Sequence, residues 1–181
     1  MSLRLRAVRI FLPSFLKRRH FQNLFLITAE AFGTPMPELE GRSYEARLKA
    51  FASFTRENAL KAAASGEREA AGKSLFVKAR AFGARLRSSL GVKTPADAMA
   101  AARVLYRAIG IDFQGTPDGD VVIRSCRFAA EYTPDVCLFI SALDCGILAG
   151  LADGGELRFE RRLTEGHSSC RARLDMKGGR R

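Results

Sequence analysis

Residues 134–150 read PDVCLFISALDCGILAG. Val136, Leu138, Phe139, Ile140, Leu143, Ile147 and Leu148 would surround a helix built from this stretch on nearly every side, which places it inside a core. Cys137, Ser141 and Asp144 are spaced four and three apart, so they stack along one face of that helix. A narrow polar line on a buried helix needs a partner, because unpaired polar groups are costly in hydrocarbon. A lined pocket, a metal or the solvent would each serve. Gly146 and Gly150 permit close approach of another segment.

The stretches on either side of this helix have a different period. DVVIRSC at 120–126 is rich in β-branched residues and follows the turn Thr116-Pro117-Asp118-Gly119, which predicts a strand. Downstream, GGELRFERRL predicts a strand at about 156–163, with Leu157, Phe159 and Leu163 on one face and Arg158, Glu160 and Arg162 on the other. After a turn at Glu165-Gly166-His167, a last strand at about 169–176 puts Cys170, Ala172, Leu174 and Met176 on its apolar face. Everything before 113 reads as helix: 18–32, stopped by Gly33; 43–64, stopped by Gly66; Glu67–Leu90, stopped by Gly91; and a helix opened by Thr94-Pro95-Ala96-Asp97 and closed by Gly110. Helices first, then strand–helix–strand–strand, predict an α+β fold: N-terminal helices packed on a small antiparallel sheet formed by the C-terminal third. The domain limits expected are a basic amphipathic arm at 1–20, one domain at 21–176 (helical over 21–112, mixed over 113–176) and a basic tail at 177–181.

With 181 residues, 47 % of them hydrophobic, the chain can bury a sizeable core. No unbroken run of about 18 apolar residues exists, which argues against a spanning helix. The net charge of +11 is uneven: residues 1–20 carry six basic residues and no acid, and residues 171–181 carry five against Asp175. The nearly neutral body argues against a nucleic-acid-binding domain. The arm, with Leu3, Leu5, Val8, Ile10, Phe11, Phe15 and Leu16 among its arginines, is expected to pack on its own domain or a second copy of the chain. An anionic membrane or an acidic partner is the other reading. No export signal is read at the N-terminus, so a cytoplasmic location, peripheral to the membrane if the arm binds it, is expected, with the four cysteines reduced.

Those cysteines are 126, 137, 145 and 170, with no Cys-x-x-Cys pair. Each alone suits a core position. Cys126 at a strand end, Cys137 on the helix and Cys170 opening the last strand would, if they converge, offer thiolates to zinc or another soft metal. By strict alternation Cys126 shares the face of Val122 and Arg124. His167 is three residues from Cys170 and on a turn, a weak basis for a Cys–His pair. No phosphate-binding glycine loop, serine elbow or His-Glu-x-x-His motif is present.

Cys126-Arg127-Phe128-Ala129, Cys137 with Leu143-Asp144, and Gly166 through Cys170 occur in an order that resembles the L-2-amino-thiazoline-4-carboxylic acid hydrolase family. That resemblance implies hydrolysis of a small cyclic amidine or thiazoline carboxylate. Cys137 and Asp144 would be the catalytic residues, with Ser141 and Arg124 binding substrate. The same stretch is similar to the 4-vinyl reductase domain, a small-molecule-binding module, and this implies a non-catalytic sensor or binding function. In zinc-bearing members of that group the metal positions match Cys137, Glu160 and Cys170; the fourth falls at Leu163, which cannot ligate, and leaves Cys126 or His167 as the substitute. Zinc or no cofactor is therefore expected. Alternation turns Glu160 away from the apolar face, so a bulge would be needed to bring it to the thiols.

Overall fold

In the computed structural model, which describes residues 1–175, six α-helices precede or interleave with a four-stranded antiparallel sheet. The α+β architecture is the one expected. Helix α1 spans Leu3–Ile10, α2 Ser14–Phe32, α3 Tyr44–Ala64, α4 Arg68–Leu90, α5 Pro95–Ala108 and α6 Pro134–Leu151. The strands are β1 Ile111–Gly115, β2 Asp120–Cys126, β3 Glu156–Arg161 and β4 Cys170–Asp175, ordered β1-β2-β4-β3. Met176 and the tail 177–181 lie outside the described residues.

The helix limits follow local chemistry. Thr94 caps α5 through the Asp97 N–H while the Asp97 carboxylate accepts from the Thr94 N–H, a reciprocal pair completed by Pro95 at the first helical position. Gly33 and Gly91 end α2 and α4 in the left-handed region. Helix α2 starts at Ser14, four residues earlier than the sequence suggests, and runs unbroken through residue 20, so the arm and the domain share a helix.

Phenylalanines weld α2 to α3. Phe21, Phe25, Phe51 and Phe54 are all buried; the first three meet edge to face, with Phe25 and Phe51 centroids 5.1 Å apart, and Phe54 tilts against Phe25. Burying such a ring contributes about 2–3 kcal/mol. Helix α6 lies between α4 and the sheet, in the core expected of it. Although it is long and apolar enough to cross a membrane, most of its surface is covered by the protein. Its glycines explain how closely it packs on α4: a Cβ at Gly146 would stand 2.5 Å from the Phe76 carbonyl oxygen, and one at Gly150 2.6 Å from the Ala84 nitrogen.

The sheet departs from expectation in three ways. Strand β1, Ile111–Gly115, extends into the segment read as helical to 112 and forms a hairpin with β2 through the 116–119 turn. Strand β3 ends at Arg161, and Leu163–Glu165 forms a single 3₁₀ turn, η2. Finally, both outer strand pairs slip register by one residue. Phe113 pairs with Ile123 while Asp112 pairs with Ser125, leaving Arg124 as an extra residue; Phe159 pairs with Ala172 while Arg161 pairs with Arg171, leaving Glu160 as another.

Candidate functional site

The first of these bulges reverses the alternation in β2. Val121 and Ile123 face the core, the extra Arg124 points to solvent, and Cys126 returns to the inside. Strict alternation had put Cys126 with Arg124; the bulge separates them. Cys126 follows the core face, and Arg124 is exposed on the outer side of the sheet and does not line the cavity described next. It is not placed to hold a ligand carboxylate.

Between α6, the sheet, α5 and the 3₁₀ turn Arg127–Ala130 (η1) lies a cavity of about 90 Å³. At about 10–15 Å³ per water centre, it can take several waters or one small organic molecule. Cys126, Cys137, Cys170, Ser141 and Asp144 all line it, so five of the side chains singled out from sequence come together. Leu24, Phe51, Ile111, Phe128, Ile140 and Leu143 make most of the wall apolar. Asp144 is the one charged side chain in that wall.

Asp144 faces the cavity rather than bulk water. Burial raises its carboxyl to about 6, and the Tyr106 hydrogen bond and the Arg162 charge only partly offset this. Tyr106, on α5, donates its hydroxyl to Asp144 Oδ1 at 2.7 Å. Its ring is locked by stacking on Phe113, centroids 4.8 Å apart at 9°. That partner is fixed by β1, the strand not foreseen. Tyr132 reaches into the cavity from beyond η1 and bonds to the Thr55 hydroxyl. Thr55 itself donates to the Phe51 carbonyl at 2.8 Å, so Tyr132 is the donor of the pair. Ser141 donates back to the Leu138 carbonyl at 2.6 Å and leaves its oxygen lone pairs to the cavity.

The thiols are not activated. Burial pushes Cys126 up to about 12 and raises Cys137 and Cys170 as well. All three are held as neutral thiols at physiological pH, which makes them poor nucleophiles. Cys145, raised to about 12 by burial, points the other way and donates to the Leu157 carbonyl at 3.5 Å. His167 is exposed on its turn and faces none of them.

The zinc set does not assemble. The bulge at Glu160 exists, yet that side chain stays exposed outside the cavity. Among the described residues no group of three or more His, Cys, Asp or Glu side chains gathers closely enough to hold a metal ion. Cys137, Glu160 and Cys170 therefore do not form a donor set in this arrangement.

Several wall residues escaped sequence reading. Tyr106 sits within the apolar stripe of α5, where a phenol looks like any core aromatic. Thr164, on η2, has a buried hydroxyl beside the Cys137 thiol that partly offsets the rise in that thiol's pKa. Next to it, Arg162 stacks over Phe159 at 4.6 Å and meets Glu165 at 3.6 Å, and its charge lowers the pKa of both Asp144 and Cys137. A charge residing just behind the wall is invisible without the turn geometry.

No family model, curated protein or solved structure matches the chain.

Proposed function

We propose that the chain is a small-molecule-binding domain whose ligand occupies the cavity between α6 and the sheet. One observation carries this reading: an apolar hollow with a single ionisable carboxyl, Asp144, held in place by Tyr106. The ligand that suits it is a small, mostly apolar heterocycle with a cationic or amidine-like N–H edge against Asp144. The resemblance to the 4-vinyl reductase module points to the same class of function. With thiols that burial holds in the neutral form, a binding domain fits better than a thiol-dependent enzyme.

The probe is 2-aminothiazoline, a cyclic amidine, titrated by calorimetry between pH 5 and 8. Binding is expected to strengthen about tenfold per pH unit below 6 and to level off above it, because only the ionised carboxylate attracts the cation. Asp144→Asn should remove both the affinity and its pH dependence. Affinity that is flat with pH and retained in Asp144→Asn overturns the proposal.

A second reading is hydrolysis of a thiazoline carboxylate. It is favoured by the carboxyl near 6, which is poised to accept a proton from water at neutral pH. Water would add to the ring carbon between nitrogen and sulfur, the carbon–sulfur bond would break, and the proton taken by Asp144 would pass to the departing sulfur. Incubation with 2-aminothiazoline-4-carboxylate separates the two readings. One new thiol per ring opened marks the hydrolase, and in that case turnover should survive Cys137→Ala. Binding without new thiol leaves the first reading.

A further inference from the structure

The amphipathic arm has two apolar faces, and the fold buries only one. On α1, Leu5 is completely buried and Val8 half-buried, while Leu3 and Ile10 on the opposite face are 82 % and 87 % exposed. Leu3, Ala7 and Ile10 are spaced four and three apart and form one outward stripe. Phe11 and Phe15 follow at 69 % and 68 % exposed. Four large apolar side chains this bare within thirteen residues are unusual on a water-facing surface.

Interleaved with them are Arg4, Arg6, Arg9, Lys17, Arg18 and Arg19, with no acid in residues 1–20. Among the described residues none of the six is in an ion pair; Arg4 donates to the Ser89 carbonyl, and Lys17 lies over the Tyr44 ring. We propose that this arm, through its exposed Leu3–Ile10 stripe and adjacent phenylalanines, docks the protein on an anionic lipid bilayer. Apolar side chains would enter the headgroup boundary while the arginines pair with lipid phosphates. A second copy of the chain is a poor occupant. A two-fold contact would set this surface against itself, six cations facing six. A nucleic acid would satisfy the charge but not the bare leucine, isoleucine and phenylalanines.

The test is co-sedimentation of the full chain with vesicles of phosphatidylcholine alone or with about one-third phosphatidylglycerol. Partition onto the anionic vesicles only is expected, weakening on the order of tenfold as salt rises from 0.1 to 0.5 M. Arg6→Gln/Arg18→Gln/Arg19→Gln should weaken it roughly 100-fold, at about fivefold per cation near an anionic surface. Leu3→Ser/Ile10→Ser/Phe11→Ser/Phe15→Ser should abolish it with the melting transition unchanged, since all four side chains are exposed. Equal binding to neutral vesicles, binding that survives the apolar variant, or capture by poly-glutamate or duplex DNA without capture by vesicles overturns the proposal. So does a concentration-dependent dimer that the apolar variant dissociates.

Discussion

Asp144 is held in the native state at a cost. An unfolded aspartate titrates near 4, whereas here burial raises the group to about 6. Between those values the folded state binds the extra proton, so this group's contribution to stability is greatest below about pH 4 and is lost as pH rises through about 6. Two pKa units correspond to about 3 kcal/mol. Asp144→Asn keeps an oxygen for the Tyr106 hydroxyl and removes the charge, and it should raise stability at pH 7 by about 2 kcal/mol. Urea denaturation at pH 4 and pH 7 checks this: the wild type should weaken between them through this group, and the gap between variant and wild type should open only at the higher pH. The thiols carry a companion expectation. Cys126, Cys137 and Cys170 should react with a water-soluble disulfide reagent at pH 7 far more slowly than a free thiol, roughly 100-fold or more, until urea unfolds the chain.

At the scale of elements, α4 and α6 meet where glycines leave no room for a side chain. Gly146→Ala would drive its methyl into the Phe76 carbonyl and should cost about 2–4 kcal/mol in chemical denaturation. Gly72→Ala, on α4, is a control of opposite sign. Its Cβ would meet the Phe139 ring at an ordinary 3.5 Å, so the gain in helix propensity should stabilise by about 0.5–1 kcal/mol. The residues that make α6 were legible because its apolar run, its Pro134 start and its paired glycines are all local signals. β1 was not, because after Gly110 the alternation of Ile111, Asp112 and Phe113 is only three residues long. The two bulges were beyond reach for a different reason. An extra residue in a strand is defined by its partner's register, which a single chain read in order does not contain. One slip brought Cys126 to the cavity and sent Arg124 to solvent, so the thiol and helix parts of the site were readable, while its tyrosines and its nearby cation were not.

For the molecule as a whole, α1 is tied to the rest by one fully buried side chain and a few polar contacts. Its anchors are Leu5, the Ser2 hydroxyl bond to the Leu90 carbonyl, Arg4 donating to the Ser89 carbonyl, the Met1 amino group 3.4 Å from the Asp97 carboxylate, and Arg107 donating to the Arg9 carbonyl at 3.4 Å. Leu5→Ala should release it at a cost of about 3 kcal/mol to docking. Trypsin should then cut after Arg4, Arg6 and Arg9 about 100-fold faster, with the melting transition of the remaining domain nearly unchanged. The glycine contact between α4 and α6 has a further consequence for traffic. Backbones clasped that tightly cannot part without breaking the core, so α6, which carries Asp144 into the hollow, is a fixed wall. A guest of the proposed kind would find its yielding wall in the short turns that bear Phe128 and Thr164. Exchange rates should therefore follow how readily those turns lift, and a proline or a cross-link that pins them would slow entry and exit together while leaving the equilibrium between bound and free untouched.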